Sequence, residues 1–210
     1  GLENIVDGAA GYDTTFALDN EGRLWGWGST CDGRLGIRMH GIHPDTLEQL
    51  DTDEPIALPS RIMVPADDGV EVRFKSIMTG SKFSLALTVD NKLYSWGARG
   101  FNGKTTESDI YVPTKILPSM YFREISVGVG GYHSLVLSMS GIVYAWGDNR
   151  WGQVGKPVFI DSTTNPSSVD LSQSMIPFPC TMGFSLNNTI ISISAGWAHN
   201  LFLMENGTVW

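Results

Sequence analysis

The stretch that decides the fold runs from residue 130 to residue 155 and reads GGYHSLVLSMSGIVYAWGDNRWGQVG. Its apolar run Ser134–Leu137 enters a short turn that ends at Gly141, and a second apolar run, Ile142–Trp146, leaves that turn. Two such runs joined by a turn with glycine are typical of a β-hairpin. Because neither run alternates with polar residues, we expect both faces of the hairpin to be buried between neighbouring layers.

The same pattern occurs four times along the chain. Each block begins with a glycine. A leucine and then a turn residue follow at the same spacing in all four blocks, and three of the blocks continue to Trp-Gly. The leading glycines are Gly11, Gly80, Gly130 and Gly196, the turn residues are Gly22, Asn91, Gly141 and Gly207, and the tryptophans are Trp27, Trp96 and Trp146. Glycine and asparagine tolerate the positive φ that such a turn requires. A unit of about 50 residues plus insertions is typical of propeller blades.

Further β-like runs flank these blocks. Phe74–Met78 and Ile190–Ser194 precede two of them, while Pro59–Ile62 and Pro113–Ile116 follow two others as candidate edge strands. Each unit therefore has about four strands. The predicted repeat units are residues 5–36, 74–104, 122–155 and 190–210 of a single partial propeller spanning 1–210, with insertions at 37–73 and 156–189.

The repeat resembles that of the regulator of chromosome condensation (RCC1) family. The resemblance rests on Gly-x-x-His-Ser, apolar-x-Leu, a turn glycine, Tyr-x-Trp-Gly and Gly-Gln-x-Gly, all within residues 130–155, and residues 33–36 read Gly-Arg-Leu-Gly at the matching place. It implies an all-β propeller segment with three full blades plus part of a fourth. It also implies a seven-bladed ring completed by further blades of a longer polypeptide, since an open arc exposes strand edges. His133 and His199 would be structural and hold strand turns through hydrogen bonds.

Composition and charge argue against several classes of partner and compartment. The formal net charge of −8 offers no basic footprint for nucleic acid. Cys31 and Cys180 are too few for a disulfide scaffold, and no signal peptide is visible, so we expect an intracellular, cytoplasmic protein. Residues 125–147 carry no charge and are long enough to cross a bilayer, but their glycines, serines and turn favour a hairpin over a membrane span.

Two stretches of sequence resemble ligand-binding motifs, but the residues around them do not fit such a site. Residues 98–105 fit a loose phosphate-binding loop, yet the β-branched run that follows does not predict the helix that such a loop needs. His40, His43, Asp45 and Glu48 could be imagined as metal ligands, but they lack a closed ligand set and lie in a segment better interpreted as a solvated acidic loop. We therefore expect no metal and no cofactor.

Seven tryptophans raise the possibility of photoreception, because ultraviolet-B-sensing relatives of this family use Gly-Trp-Arg-His-Thr repeats. Only residues 196–200 come near that motif, and they lack the arginine. Trp27, Trp96 and Trp146 are interpreted instead as packing anchors between blades, since each indole buries a large apolar area.

We expect a non-enzymatic scaffold without catalytic residues, which binds protein partners through loops at one rim of the propeller. Side chains vary there while the repeated frame stays fixed. The candidate partner-binding residues are Tyr12, Asp13, Lys82, Tyr132 and Trp197 after the leading glycines, and Arg150 and Trp151 after a Trp-Gly pair. The alternative is that these residues only cap strand turns. The alternative function, implied by the resemblance, is guanine-nucleotide exchange on a small GTPase.

Overall fold

The computed structural model describes residues 1–42, 49–64, 69–104, 108–128, 131–156, 176–179 and 189–210. Within these ranges all the regular secondary structure is β-strand, apart from one 3-10 turn at Cys31–Gly33. The strands are β1 (Ile5–Ala10), β2 (Thr14–Asp19), β3 (Leu24–Gly28), β4 (Met39–Ile42), β5 (Gln49–Thr52), β6 (Ile56–Ile62), β7 (Phe74–Thr79), β8 (Phe83–Thr88), β9 (Leu93–Gly97), β10 (Ile110–Ile116), β11 (Phe122–Val127), β12 (His133–Ser138), β13 (Val143–Gly147), β14 (Phe178–Pro179), β15 (Ile190–Ala195) and β16 (Asn200–Met204).

Four antiparallel sheets follow one another along the chain, and we call them blades 1 to 4. Blade 1 has the strand order β1-β2-β3-β6, blade 2 has β7-β8-β9-β10, blade 3 has β11-β12-β13-β14, and blade 4 contains β15 and β16. The first strands of consecutive blades contact each other. For example, β1 contacts β7, and β11 contacts β15. The sheets therefore stack radially with their first strands innermost, which confirms the predicted β-propeller.

The hydrophobic core consists of layers between blades. Phe16 and Leu18 of blade 1 pack with Ile77 and Trp96 of blade 2. A second layer joins blades 2 and 3, and a third joins blades 3 and 4. Every residue of β8 and β12 is buried, because each of these strands has a neighbouring blade on both faces. Each large apolar side chain in these layers contributes about 1.5–3 kcal/mol of burial free energy, so the blades stabilise one another.

Equivalent ends of the blades lie side by side. The hairpin turns keep a positive φ at Gly22, Asn91, Gly141 and Gly207, as the repeat requires. The carbonyl of Gly22 accepts the amide of Phe74 in the next blade, and the carbonyl of Asn91 accepts that of Phe122, both at 2.9 Å. These bonds fix the register between blades, so all hairpin turns face one side of the arc.

The insertions contain more strand than the sequence predicts. Within residues 37–73, β4 and β5 pair with each other where we expected a solvated loop. The candidate edge strand Pro59–Ile62 lies in β6, which is the outer strand of blade 1 as expected. Within residues 156–189, Phe178–Pro179 pairs with β13 as the outer strand of blade 3. The strands β4, β5 and β14 are only two to four residues long. Such short segments cannot show the alternation of apolar and polar residues by which strands are recognised in a sequence.

Candidate functional site

The loops opposite the hairpin turns form a continuous edge, which we call the rim. It comprises residues 11–13, 28–36, 80–82, 97–104, 131–132, 147–156 and 196–199. In each of the first three blades the loop after the third strand hydrogen-bonds to the loop before the second strand. The amides of Ser29, Ala98 and Asp148 donate to the carbonyls of Asp13, Lys82 and Tyr132, at 2.9, 2.8 and 2.8 Å. Within each of these blades the two rim loops are therefore fixed to each other at the ends of the strands.

The glycine of each Trp-Gly pair permits this arrangement. Gly28, Gly97 and Gly147 have φ values of 110°, 111° and 106°. A Cβ added at Gly147 would lie 2.3 Å from the carbonyl oxygen of Tyr132. Only glycine combines this conformation with so close an approach of two backbones, which explains why tryptophan is followed by glycine in the repeat.

The leading glycines bring neighbouring blades together at the rim. A Cβ at Gly11 would lie 2.7 Å from the carbonyl oxygen of Gly80, and one at Gly80 would lie 2.9 Å from that of Gly131. Gly196 abuts the ring of His199 in its own loop. Gly130, the leading glycine of the third block, lies outside the described residues.

The repeated tryptophans connect each blade to the one before it. Trp96 and Trp146 are fully buried. Their indole Nε1 atoms donate to the carbonyls of Arg34 and Phe101, at 2.9 and 2.8 Å. These carbonyls occupy the same place in the Gly-x-x-Gly loops of blades 1 and 2. Trp27, in blade 1, is half-buried. The indole thus couples apolar packing to a hydrogen bond across the blade interface.

The two histidines differ in environment, although they share a place in the repeat. His133 is fully buried, and its Nε2 lies 2.8 Å from Oδ1 of Asn200 in blade 4. Burial lowers the pKa of His133, while the hydrogen bond with Asn200 acts in the opposite direction. His199 is exposed; its backbone carbonyl accepts the amide of Gly196 at 2.8 Å, and its imidazole has no hydrogen bond to a described residue. The imidazole of His133 thus hydrogen-bonds to the next blade, and the strand-turn role expected for both histidines stays a prediction.

Arg34 is a rim residue that the sequence analysis did not single out. Its side chain is 9% exposed and pairs with Asp13 at 2.8 Å and Asp32 at 2.6 Å. Its Nη1 also donates to the carbonyl of Ser81 in blade 2, at 3.1 Å. Burial opposes its charge, but the hydrogen bonds with both aspartates prevail and raise the pKa of Arg34. Asp13, a candidate partner-binding residue, is thus held in an ion pair within blade 1, and the same Arg34 side chain reaches across to blade 2.

Three other candidates meet in one cleft at the boundary of blades 2 and 3. Lys82, Phe101, Tyr132, Asp148 and Arg150 line a volume of about 320 Å³. The ring centroids of Phe101 and Tyr132 are 5.5 Å apart. Arg150 forms a forked ion pair with Asp148, with contacts of 2.8 to 3.0 Å. Burial opposes ionisation of Asp148, but the hydrogen bonds from Arg150 lower its pKa and keep it charged.

The remaining candidates are aromatic side chains that project from the rim. Tyr12 is 81% exposed, Trp151 is 70% exposed and Trp197 is 59% exposed. They belong to blades 1, 3 and 4, so exposed rings are spread along the arc. Tyr12 and Trp197 occupy loops before the second strand, whereas Trp151 lies in a loop after the third strand.

Family models for the RCC1 repeat match this chain at residues 5–34, 125–153 and 140–203, which together cover just over half of it. The chain belongs to the RCC1 repeat family. The matched segments include β1 to β3 of blade 1, β12 and β13 of blade 3, and β15 of blade 4. The shared features are therefore the Trp-Gly frame and the hairpins described above.

RCC1 relatives support the same fold over nearly the whole chain. The chain is 28% identical to the ultraviolet-B receptor UVR8 of Arabidopsis thaliana, over 96% of its own length and 39% of the receptor. It is 29% identical to the guanine nucleotide exchange factor SRM1 of Saccharomyces cerevisiae, over 99% of its length and 40% of SRM1. The crystal structure of Prp20p from S. cerevisiae superimposes with a TM-score of 0.72 at 22% identity, covering 96% of this chain and 44% of Prp20p. The chain thus spans less than half the length of these RCC1 proteins.

The RCC1 repeat also accounts for the pattern that resembled a phosphate-binding loop. Residues 98–104 occupy the Gly-x-x-Gly place of blade 2, with Asn102 fully buried, and the next described element is the strand β10. Of the imagined metal ligands, His43, Asp45 and Glu48 lie outside the described residues. The described part of the chain contains no group of three residues suited to hold a metal ion. No helix within the described ranges is long and apolar enough to cross a membrane. The described residues of the uncharged stretch 125–147 belong to the end of β11, to β12 and β13, and to the turns beside them, which is the predicted hairpin.

Proposed function

We propose that this RCC1-repeat segment is a non-enzymatic scaffold that binds protein partners through its rim. The observation that carries the proposal is the projection of Tyr12, Trp151 and Trp197 from one edge of the arc, each more than half exposed. Exposed tryptophan and tyrosine are the side chains that most often anchor protein interfaces. Backbone hydrogen bonds hold the loops that carry these rings, so binding would require little ordering of the backbone.

The ionic groups of the rim fit a binding role better than a catalytic one. Arg34 forms ion pairs with Asp13 and Asp32, and Arg150 forms one with Asp148. A general base must be free to take a proton from a substrate, whereas each of these carboxylates is already paired with an arginine. Such fixed charges instead favour orientation of a partner and selection against wrong ones.

The proposal is tested by affinity capture with a rim variant and a matched control. We expect the double variant Trp151→Ala, Trp197→Ala to lose at least about tenfold in recovery of captured partners, since each interface anchor is typically worth 2 kcal/mol or more (about thirtyfold). The control is Tyr121→Ala, which removes an aromatic ring that is 53% exposed near the hairpin turns. Unchanged recovery with the rim variant, or equal loss with the control, would contradict the proposal.

A second candidate function is guanine-nucleotide exchange on a small GTPase. It is supported by the similarity to SRM1, which is named as an exchange factor, and to Prp20p, which is described as binding Gsp1p and histones. Exchange requires stabilisation of the nucleotide-free GTPase by the propeller. A fluorescent-nucleotide release assay against a panel of small GTPases tests it, and the absence of any acceleration would remove exchange in favour of the scaffold alone.

A further inference from the structure

The cleft between blades 2 and 3 has an unequal supply of hydrogen-bond donors and acceptors. Its cations, Lys82 and Arg150, have side chains that are 45% and 52% exposed. Tyr132 is half-buried beside them and brings a hydroxyl group. The half-buried ring of Phe101 contacts that of Tyr132 and forms an apolar wall. The cleft thus combines charge and aromatic surface within about 320 Å³.

Three donors in this cleft are not used by the described residues. Lys82 Nζ has one ionic contact, to Asp32 at 3.7 Å, which is longer than a hydrogen bond. Arg150 uses Nε and Nη2 on Asp148, and its Nη1 has no partner within the described ranges. The hydroxyl of Tyr132 likewise forms no hydrogen bond with a described side chain or backbone group.

The one carboxylate that lines the cleft is already engaged. Asp148 is 7% exposed and accepts three hydrogen bonds from the guanidinium of Arg150. It also accepts the backbone amide of Arg150 at 3.0 Å. Arg150 is therefore held in one orientation by Asp148, which leaves Nη1 available to another acceptor. Because the spare groups are donors and two are cationic, the complementary ligand is an anion with several acceptor oxygens.

We infer that the cleft binds an acidic side chain of the protein partner. Its carboxylate would accept hydrogen bonds from Lys82 Nζ, Arg150 Nη1 and the hydroxyl of Tyr132, and its methylene groups would pack on Phe101. Asp or Glu fits this volume and donor set, whereas Lys or Arg would meet two cations. The inference rests on the proposed function and adds the chemistry that the rim selects.

The test is a selection of random displayed peptides on the whole chain, followed by affinity measurements with the selected peptides. We expect enrichment of Asp and Glu, and a loss of about tenfold or more in affinity for Lys82→Gln and for Tyr132→Phe, because hydrogen bonds to charged groups are the strong ones. Tyr132→Phe keeps the ring against Phe101 and removes only the hydroxyl. Lys75→Gln is the control, because it removes an equal charge beside the hairpin turn at Asn91. Replacing the acidic residue of the peptide by its amide should cause the same loss.

Each result bears on the inference in one direction. Acidic peptides that depend on Lys82 and Tyr132 but not on Lys75 support it. A different result would overturn the inference and leave the proposed function intact: peptides that bind Lys82→Gln and Tyr132→Phe with unchanged affinity but lose affinity for Trp151→Ala. A selection without any cleft-dependent binder also overturns it, and the proposed function is then decided by the capture experiment with Trp151 and Trp197.

Discussion

The carbonyl of Arg34 offers a sharp test of how blades 1 and 2 are joined. It accepts the indole of Trp96 and the hydroxyl of Ser84, both at 2.9 Å, and all three residues are buried. Either donor alone satisfies the carbonyl. Removing both leaves a buried acceptor without a partner, which costs about 1–3 kcal/mol in addition to the lost bonds.

The expected free energies follow from this geometry. Trp96→Phe loses one hydrogen bond worth about 1 kcal/mol and leaves a void worth about 1 kcal/mol. Ser84→Ala loses about 1 kcal/mol. Independent effects would sum to about 3 kcal/mol, whereas the double variant should lose about 4–6 kcal/mol of unfolding free energy once the orphaned carbonyl is included.

The unchanged chain, the two single variants and the double variant form a double-mutant cycle. Their free energies of unfolding are measured by urea unfolding followed by far-ultraviolet circular dichroism, which does not rely on tryptophan emission. The control cycle pairs Ser84→Ala with Trp146→Phe, whose indole donates to Phe101 instead of Arg34, and it should be additive within about 0.5 kcal/mol. An additive result for Ser84 with Trp96 would refute the reasoning that one carbonyl joins the two blades.

Three further predictions concern the rim and a hairpin turn. Gly147→Ala should destabilise the chain by about 1–3 kcal/mol in thermal unfolding, since its Cβ would press on the carbonyl of Tyr132; an unchanged midpoint would count against the required glycine conformation. Arg34→Met should lower the free energy of unfolding in urea by about 2–4 kcal/mol because it removes the cation that pairs with Asp13 and Asp32, and an unchanged free energy of unfolding would show that these ion pairs do not stabilise the chain. Burial opposes ionisation of Asp19, but its hydrogen bonds lower its pKa from 3.8 to about 2. Its stabilising contribution is therefore complete above pH 3.8 and is lost as the pH falls towards 2; Asp19→Asn should flatten this part of the stability profile, and an unaltered profile would exclude Asp19 as its source.

Local signals in the sequence explain why the repeated part of the fold was predictable. The turn residues must adopt a positive φ, and the strands around them must be apolar on both faces, so each hairpin is marked within one block. Phe178–Pro179 and the β4–β5 pair are short, and no local pattern distinguishes them from loop. The pairing of Phe178–Pro179 depends on β13 already being in place.

The candidate site was predictable only in part, because its contacts cross blade boundaries. Exposed rings at Tyr12 and Trp197 follow from their place after the leading glycines. The role of Arg34 depends on Ser81 in the next blade, and the burial of His133 depends on Asn200 in another. A charged residue within an otherwise apolar Gly-x-x-Gly loop is the one signal that could have drawn attention to Arg34.

Hydrogen–deuterium exchange on the chain with and without a captured partner tests the central claim most directly. If the rim is the binding surface, bound partner slows exchange in the rim segments 11–13, 80–82, 131–132, 147–156 and 196–199. Exchange in the hairpin turns 20–23, 89–92, 139–142 and 205–208 stays unchanged. Protection confined to the hairpin turns, with the rim unchanged, would contradict the assignment of the rim as the binding surface.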